Sequence, residues 1–204
     1  MKKNVIFDLG GVLIDWNPRY FYRSVFNDDA RMEDFLSTCC NSEWIVAMDA
    51  GLTAKENIAR GQKTCPKYAR ELALYDEGWH HMFGGAIEGT VEILKDLKKA
   101  GTPLYALTNW SAEKFPWAKK NFPFLDLFEG IVVSGEEKVI KPNPEIYKRL
   151  LARYNLKAED CVFIDDNAAN VEAARALGMA GIRFTSPARL KEELSALDNR
   201  PSHK

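Results

Sequence analysis

Two textures alternate along the chain. Short, mainly apolar runs stand at residues 4–7, 104–108, 130–133, 161–164 and 181–184. Runs this short, closed by polar or turn residues, are the mark of strands buried on both faces. Between them apolar residues recur every three or four positions, as they do along one face of a helix. Residues 90–99 put Val91, Leu94 and Leu97 on one face, and Ala100-Gly101 supply the stop. Residues 144–154 open on a proline where a helix accepts one, and 167–177 start at a capping asparagine and end at Gly178. The tail, 187–197, reads as one more helix. Strands alternating with helices predict an α/β fold, a parallel sheet with helices on both faces. The stretch 17–84 breaks the rhythm. It is rich in aromatic and charged residues, shows no clear strand, and looks helical at 33–36 and 69–75. It reads as a helical insertion after the first strand, with Gly84-Gly85 as its hinge.

The polar residues that close the strands change the picture from fold to chemistry. In an open parallel sheet, ligands bind beyond the carboxyl ends of the strands. Asp8 closes the first strand, Thr108-Asn109 the second, Ser134 the third and Asp165-Asp166 the fourth, with Lys141 on the loop before Pro142. Three carboxylates brought together repel one another unless a cation lies between them. Mg²⁺ suits that place, because it takes hard oxygen ligands and completes its shell with substrate phosphate. Lys141 is a point charge that can hold a phosphate oxygen beside an anionic nucleophile. Thr108 and the N–H groups after it can serve the remaining phosphate oxygens. Phosphoryl transfer needs mainly positioning and charge neutralisation, and a carboxylate can act as its nucleophile. Taken singly, these residues have ordinary readings. Asp8 can form a turn, Asp165-Asp166 can cap the helix that follows, and Lys141 can lie on the surface. Gly10-Gly11 lacks the full glycine fingerprint and the P-loop lysine. The functional reading comes from their order at successive strand ends.

Four segments resemble the four motifs of the haloacid dehalogenase-like hydrolases. They are Phe7-Asp8-Leu9-Gly10-Gly11-Val12-Leu13, Leu107-Thr108-Asn109, Lys141-Pro142-Asn143-Pro144-Glu145-Ile146-Tyr147 and Phe163-Ile164-Asp165-Asp166-Asn167. The resemblance implies a Rossmann-like core, residues 1–16 and 85–204, with a small helical cap, 17–84, inserted after the first strand. It implies Asp8 as nucleophile and Lys141 beside it, phosphate bound by Thr108, Asn109 and Lys141, and Mg²⁺ held by Asp8, the Gly10 carbonyl and Asp166. Asp165 would assist directly or through water.

One position departs from that family's phosphatases, which usually carry a second Asp two residues after the nucleophile as general acid and base. Here it is Gly10. General acid–base catalysis contributes roughly 10²–10⁴-fold. Either the leaving group needs little protonation, as an anomeric sugar oxygen or an acyl phosphate does, or another acid serves, or the activity is weak. Asp15, His80 and His81 are candidate substitutes, although Asp15 can equally close the turn and the histidines can equally be surface or core residues. The glycine-containing first motif is similar to that of small sugar-phosphate phosphatases typified by glucose-1-phosphate phosphatase, so a sugar 1-phosphate is the expected substrate. Trp110 can wall a sugar pocket or fill the core, and Trp16, Trp44 and Trp79 can line the cap interface or fill the cap. A 2-haloacid dehalogenase of the same family is the first rival. That reaction needs no metal, and its enzymes typically alter the Asp-Asp pair that is intact here. The second rival, a phosphate-binding or regulatory protein, has little use for Asp8, because a carboxylate only repels phosphate.

Composition bounds the partners. The chain has 204 residues, 46% hydrophobic and 28% charged, with a formal net charge of -1. That predicts a packed core and gives no basic surface for nucleic acid or an anionic membrane. No apolar stretch approaches a membrane span, and Asp8 cuts the N-terminal run too short for a signal peptide. A cytoplasmic protein acting on a small phosphorylated metabolite is expected, as a monomer or weak homodimer. The Asn109-Trp110-Ser111 sequon would then stay unmodified. Cys39, Cys40, Cys65 and Cys161 include no CxxC pair, so reduced thiols rather than a zinc site are expected.

Overall fold

The computed structural model describes residues 3–198, so residues 1–2 and 199–204 of the expected core lie outside the described residues. Seven strands stand among them: β1 (Asn4–Phe7), β2 (Ile14–Trp16), β3 (Phe83–Ala86), β4 (Leu104–Thr108), β5 (Gly130–Val133), β6 (Cys161–Asp165) and β7 (Ala180–Arg183). Five form one parallel sheet in the order β5-β4-β1-β6-β7, which puts β1 at its centre. Side chains alternate across a strand, and the core divides accordingly. Val5 and Phe7 enter the larger hydrophobic cluster while Ile6 enters the smaller one; Val162 and Ile164 likewise oppose Cys161 and Phe163. Parallel strands that bury both faces have to be apolar in their interiors, and these are, with polar residues only at their ends.

The flanking helices match the helical periodicity closely: Glu88–Lys99, Pro144–Arg153, Ala168–Ala176 and Pro187–Asp198. Asn143 and Asn167 are N-caps, each accepting a backbone N–H two residues on, at 3.0 and 2.9 Å.

The inserted region differs from expectation in three ways. First, 17–84 contains the start of a strand. β3 pairs antiparallel with β2, and the two form a ribbon at the stem of the insertion. Gly84-Gly85 therefore sits inside a paired strand rather than in a free hinge. Gly85 there has φ +110°, a conformation that favours glycine. Second, the helices Ser42–Asp49 and Ala54–Thr64 went unread. Their start signals were present: Asn41 accepts the Trp44 N–H at 2.9 Å, and Thr53 with Glu56 forms a capping box. Third, Cys39 and Cys65 are joined as a disulfide, where reduced thiols were expected, while Cys40 and Cys161 are free and buried. The two paired cysteines are the C-caps of the helices Asp29–Thr38 and Ala54–Thr64, and only the folded cap brings those helix ends together. Tyr22, Phe26, Phe35 and Tyr68 pack as an aromatic cluster at the centre of the cap, with Phe35 4.7 Å from Tyr22 and 5.4 Å from Tyr68 between ring centres. No helix among the described residues is long and apolar enough to cross a membrane.

Candidate active site

The carboxyl edge of the sheet gathers the charged residues of three strands. Asp8 follows β1, Asp165 ends β6, and Lys141 lies on the loop between β5 and the helix Pro144–Arg153. Lys141 Nζ donates to Asp8 Oδ1 at 2.9 Å, to Asp165 Oδ2 at 2.7 Å and to the Leu107 carbonyl at 2.8 Å. Its side chain has no exposure, so all three ammonium protons are engaged within the protein. Asp8 Oδ1 also accepts the Leu9 N–H at 2.7 Å.

Asp165 is completely buried and fully partnered. Beside Lys141, it accepts the Asn167 N–H at 2.8 Å and the Asn170 side-chain amide at 3.0 Å on each oxygen. Asp166 is exposed at the edge of the site. Gly11 explains itself by proximity: at φ +75° it brings the first loop so near Asp166 that a Cβ would stand 2.9 Å from Oδ2. Asn109 holds Lys141 from behind. Its amide donates to the Lys141 carbonyl at 3.0 Å and its oxygen accepts the Lys141 N–H at 2.8 Å. That side chain is therefore engaged in placing the lysine. Thr108 is buried one residue deeper, and its Oγ1 has no partner.

A cavity of about 380 Å³ opens over this floor. Asp8, Gly10, Gly11, Asp166 and Asn109 line its base, and Trp16, Ile45, Met48, Tyr75, Trp79 and Trp110 make most of its wall. Trp110 is thus both largely buried and a wall of the pocket. Trp16 and Trp79 also line it, whereas Trp44 packs inside the cap and donates to the Asn57 carbonyl at 3.1 Å. The three candidate substitute acids are not among the lining residues. Asp15 accepts the Tyr20 hydroxyl at 2.7 Å on the β2–β3 ribbon. His80 and His81 are exposed, side by side with ring centres 4.0 Å apart. Among the lining residues that the sequence reading passed over are three polar ones, Asp49, Lys114 and Asn170.

Charge explains what the floor requires. Burial raises the Asp8 carboxyl to about 7, and Asp165 adds to this while Lys141 opposes it. Burial also works against the Lys141 ammonium, but Asp8 and Asp165 overcome it and hold its pKa above that of an ordinary lysine. Oxygens of Asp8, Asp165 and Asp166 lie within 4.8 Å of one another, with one ammonium among them. That is an excess of negative charge in a largely desolvated place. Asn170 Oδ1 adds a buried acceptor with no partner. An all-oxygen donor set with surplus negative charge fits a hard divalent cation.

An acid–lysine–acid floor at the carboxyl edge of a parallel sheet, roofed by an inserted helical region, makes this chain a capped hydrolase. A family model described as haloacid dehalogenase-like hydrolase matches residues 2–178, and the chain belongs to that family. It is 30% identical over 185 residues to the sesquiterpene phosphatase astK of Aspergillus oryzae, across 90% of either chain. It is 22% identical over 212 residues to a D-ribitol-5-phosphate phosphatase of Bacteroides thetaiotaomicron, covering 98% of this chain and 100% of that one. A HAD family enzyme of the same bacterium, solved as a magnesium complex, shares the fold with a TM-score of 0.72 at 23% identity, over 97% of this chain and 98% of its own.

Proposed function

We propose that this enzyme is a Mg²⁺-dependent phosphatase that hydrolyses a small phosphorylated metabolite by way of a phosphoryl group carried on Asp8. The observation that carries this reading is the 2.9 Å contact between Asp8 and a fully buried Lys141 at the base of the cavity under the cap. Asp8 attacks phosphorus with one carboxylate oxygen as the ester oxygen leaves on the opposite side. Lys141 keeps Asp8 ionised and aimed, and its charge, behind Asp8, offsets the negative charge gathered at the base of the cavity. Thr108 Oγ1, buried and without a partner, is a donor for one of them. Asp165 fixes Lys141 and the start of the helix Ala168–Ala176. Asp8, Asp166 and the Gly10 carbonyl would hold the ion, with Asp165 behind them. When bound, it supplies neutralisation of the phosphoryl charge. Water then releases phosphate and restores Asp8.

A sugar 1-phosphate remains the substrate suggested by the glycine in the first motif. The wall of the cavity favours a second reading, a monophosphate of an apolar alcohol. Trp16, Ile45, Met48, Tyr75, Trp79 and Trp110 offer aromatic and aliphatic surface, and the relative astK is named for a sesquiterpene substrate. A panel of sugar 1-phosphates, sugar 6-phosphates and prenyl monophosphates with Mg²⁺ decides between them. Asp8→Asn must lose turnover on every member of the panel while keeping its fold. A variant that still turns over near the wild-type rate removes the mechanism.

A further inference from the structure

The reading of the site as a phosphatase leaves one role unfilled. An alcohol leaving from phosphorus needs a proton, and the water that later attacks the phosphoryl group must lose one. Position 10, where the family's phosphatases keep a carboxylate, is glycine. The titratable groups that line the cavity are Asp8, Asp49, Tyr75, Lys114 and Asp166, with Lys141 behind Asp8. Asp8 is the nucleophile and Asp166 belongs to the acidic cluster. Lys114 is ion-paired with Asp76. Tyr75 is fully buried, and that burial raises its pKa far out of reach. Asp49 is the group left over.

We propose that Asp49, on the cap, is the general acid and base of this enzyme, acting on the leaving oxygen and then on the attacking water. This assignment rests on the phosphatase reading above. Asp49 is the last residue of the helix Ser42–Asp49, and it faces the cavity beside Ile45 and Met48 of the same helix. Among the described residues its carboxylate makes no hydrogen bond or ion pair, so it is unengaged and half-buried in the pocket. Its main chain, in contrast, is fixed to the core. Ser134 Oγ, at the carboxyl end of β5, donates to the Asp49 carbonyl at 2.7 Å and accepts the Trp110 N–H at 3.0 Å. Ser134 thereby ties the end of the cap helix to the loop that carries Asn109 and Trp110. Burial lifts the Asp49 carboxyl to about 7, with the Lys141 ammonium pulling the other way. A carboxyl near 7 can give and take a proton at neutral pH.

The proton ledger closes over the cycle. In the first step the Asp8–phosphorus bond forms, the ester P–O bond breaks, and protonated Asp49 passes its proton to the departing oxygen. In the second, water adds to phosphorus, its proton goes to the Asp49 carboxylate, and the Asp8–phosphorus bond breaks. Inorganic phosphate leaves, and both aspartates return to their starting states.

The test is Asp49→Asn, assayed on aryl phosphates from p-nitrophenyl phosphate to phenyl phosphate with Mg²⁺. The variant keeps the carbonyl that Ser134 holds, and its melting curve checks the fold; Asp49→Ser gives a second, smaller replacement. With p-nitrophenyl phosphate, whose leaving group needs no acid, Asp49→Asn is expected to release about one phenolate per enzyme in a burst and then turn over slowly. With phenyl phosphate the burst step itself slows by ~10²–10⁴-fold. Wild-type kcat/KM for phenyl phosphate is expected to decline above about pH 7, and that decline is expected to be absent from the variant. Wild-type rates in both variants, or one uniform loss across the series without a burst, would overturn the assignment of Asp49. A wild-type enzyme that releases no phenol from any aryl phosphate would instead overturn the phosphatase reading beneath it.

Discussion

On the floor of the cavity the two innermost charged groups, Lys141 and Asp165, have every partner they can use. Lys141 meets three acceptors, and Asp165 meets the lysine, a backbone N–H and an asparagine amide. On the roof, the Asp49 carboxylate has none, and it shares the cavity wall with Ile45, Met48, Tyr75 and Trp79. The floor is built to hold charge in one arrangement. The roof is built to leave one proton-carrying group free over a hydrophobic wall. The division matches a reaction in which the phosphoryl half is constant and the alcohol half is chosen by the cap. Few polar links join the two. Besides Ser134, they include the Ala54 N–H donating to Glu113 Oε2 at 2.8 Å and the Lys114–Asp76 ion pair.

Breaking the floor has the largest effect. Lys141→Met leaves Asp8 and Asp165 buried without their cation. It is expected to abolish turnover and to cost about 3–5 kcal/mol of stability in urea denaturation. A loss below ~1 kcal/mol would mean the lysine is not the keystone of the charge cluster. Removal of divalent ions with EDTA comes next. Activity should vanish and return with added Mg²⁺, and the melting temperature should rise with Mg²⁺ concentration, because an ion that binds only the folded state stabilises it. Melting curves that ignore Mg²⁺ would show that the acidic cluster binds no ion.

The comparison of floor and roof can be sharpened by moving the acid. A Cβ at Gly10 meets nothing within 4 Å, so an aspartate fits there. Gly10→Asp in an Asp49→Asn background should speed the burst step ~10²-fold on phenyl phosphate, and far less on p-nitrophenyl phosphate. Equal acceleration of the burst step on both would show that the new carboxylate acts otherwise than by proton transfer to the leaving group.

The smallest effect concerns stability and pH. Burial raises Asp49 to about 7, from the ~3.9 of an unfolded aspartate. A raised acid favours folding in its protonated form. That contribution is complete below about pH 4 and is lost as pH climbs through 7. Asp49→Asn has no such proton to lose. Its stability relative to wild type should therefore improve by ~2–3 kcal/mol between pH 5 and pH 8, read from urea melts. A constant difference across that range would place the Asp49 carboxyl at an ordinary pKa.

What could be read from the sequence follows the same division. The sheet was legible because β1, β4, β5 and β6 are apolar in their interiors and close on or just before polar residues. The charges at those stops fall together because parallel strands end at one edge. The roof was not legible in this way. Asp49 is a lone acid at the end of a cap helix, and nothing in its neighbours marks it. Its place depends on how the cap lies on the core, through the Ser134 contact 85 residues away in sequence. Asn109 looked like a phosphate ligand by position, and only the paired bonds to the Lys141 backbone show its side chain to be engaged elsewhere. The β2–β3 ribbon was too short and too glycine-rich to announce itself, and the Cys39–Cys65 pair needed two helix ends to meet.

The central claim is that Asp8 carries the phosphoryl group. Acid quench of the enzyme during turnover of p-nitrophenyl phosphate, followed by peptide mapping in acid, tests it directly. The account predicts an acid-stable, hydroxylamine-sensitive phosphoryl group on the peptide that contains Asp8, absent from Asp8→Asn. A phosphoryl group on any other residue, or steady turnover by Asp8→Asn, would contradict it.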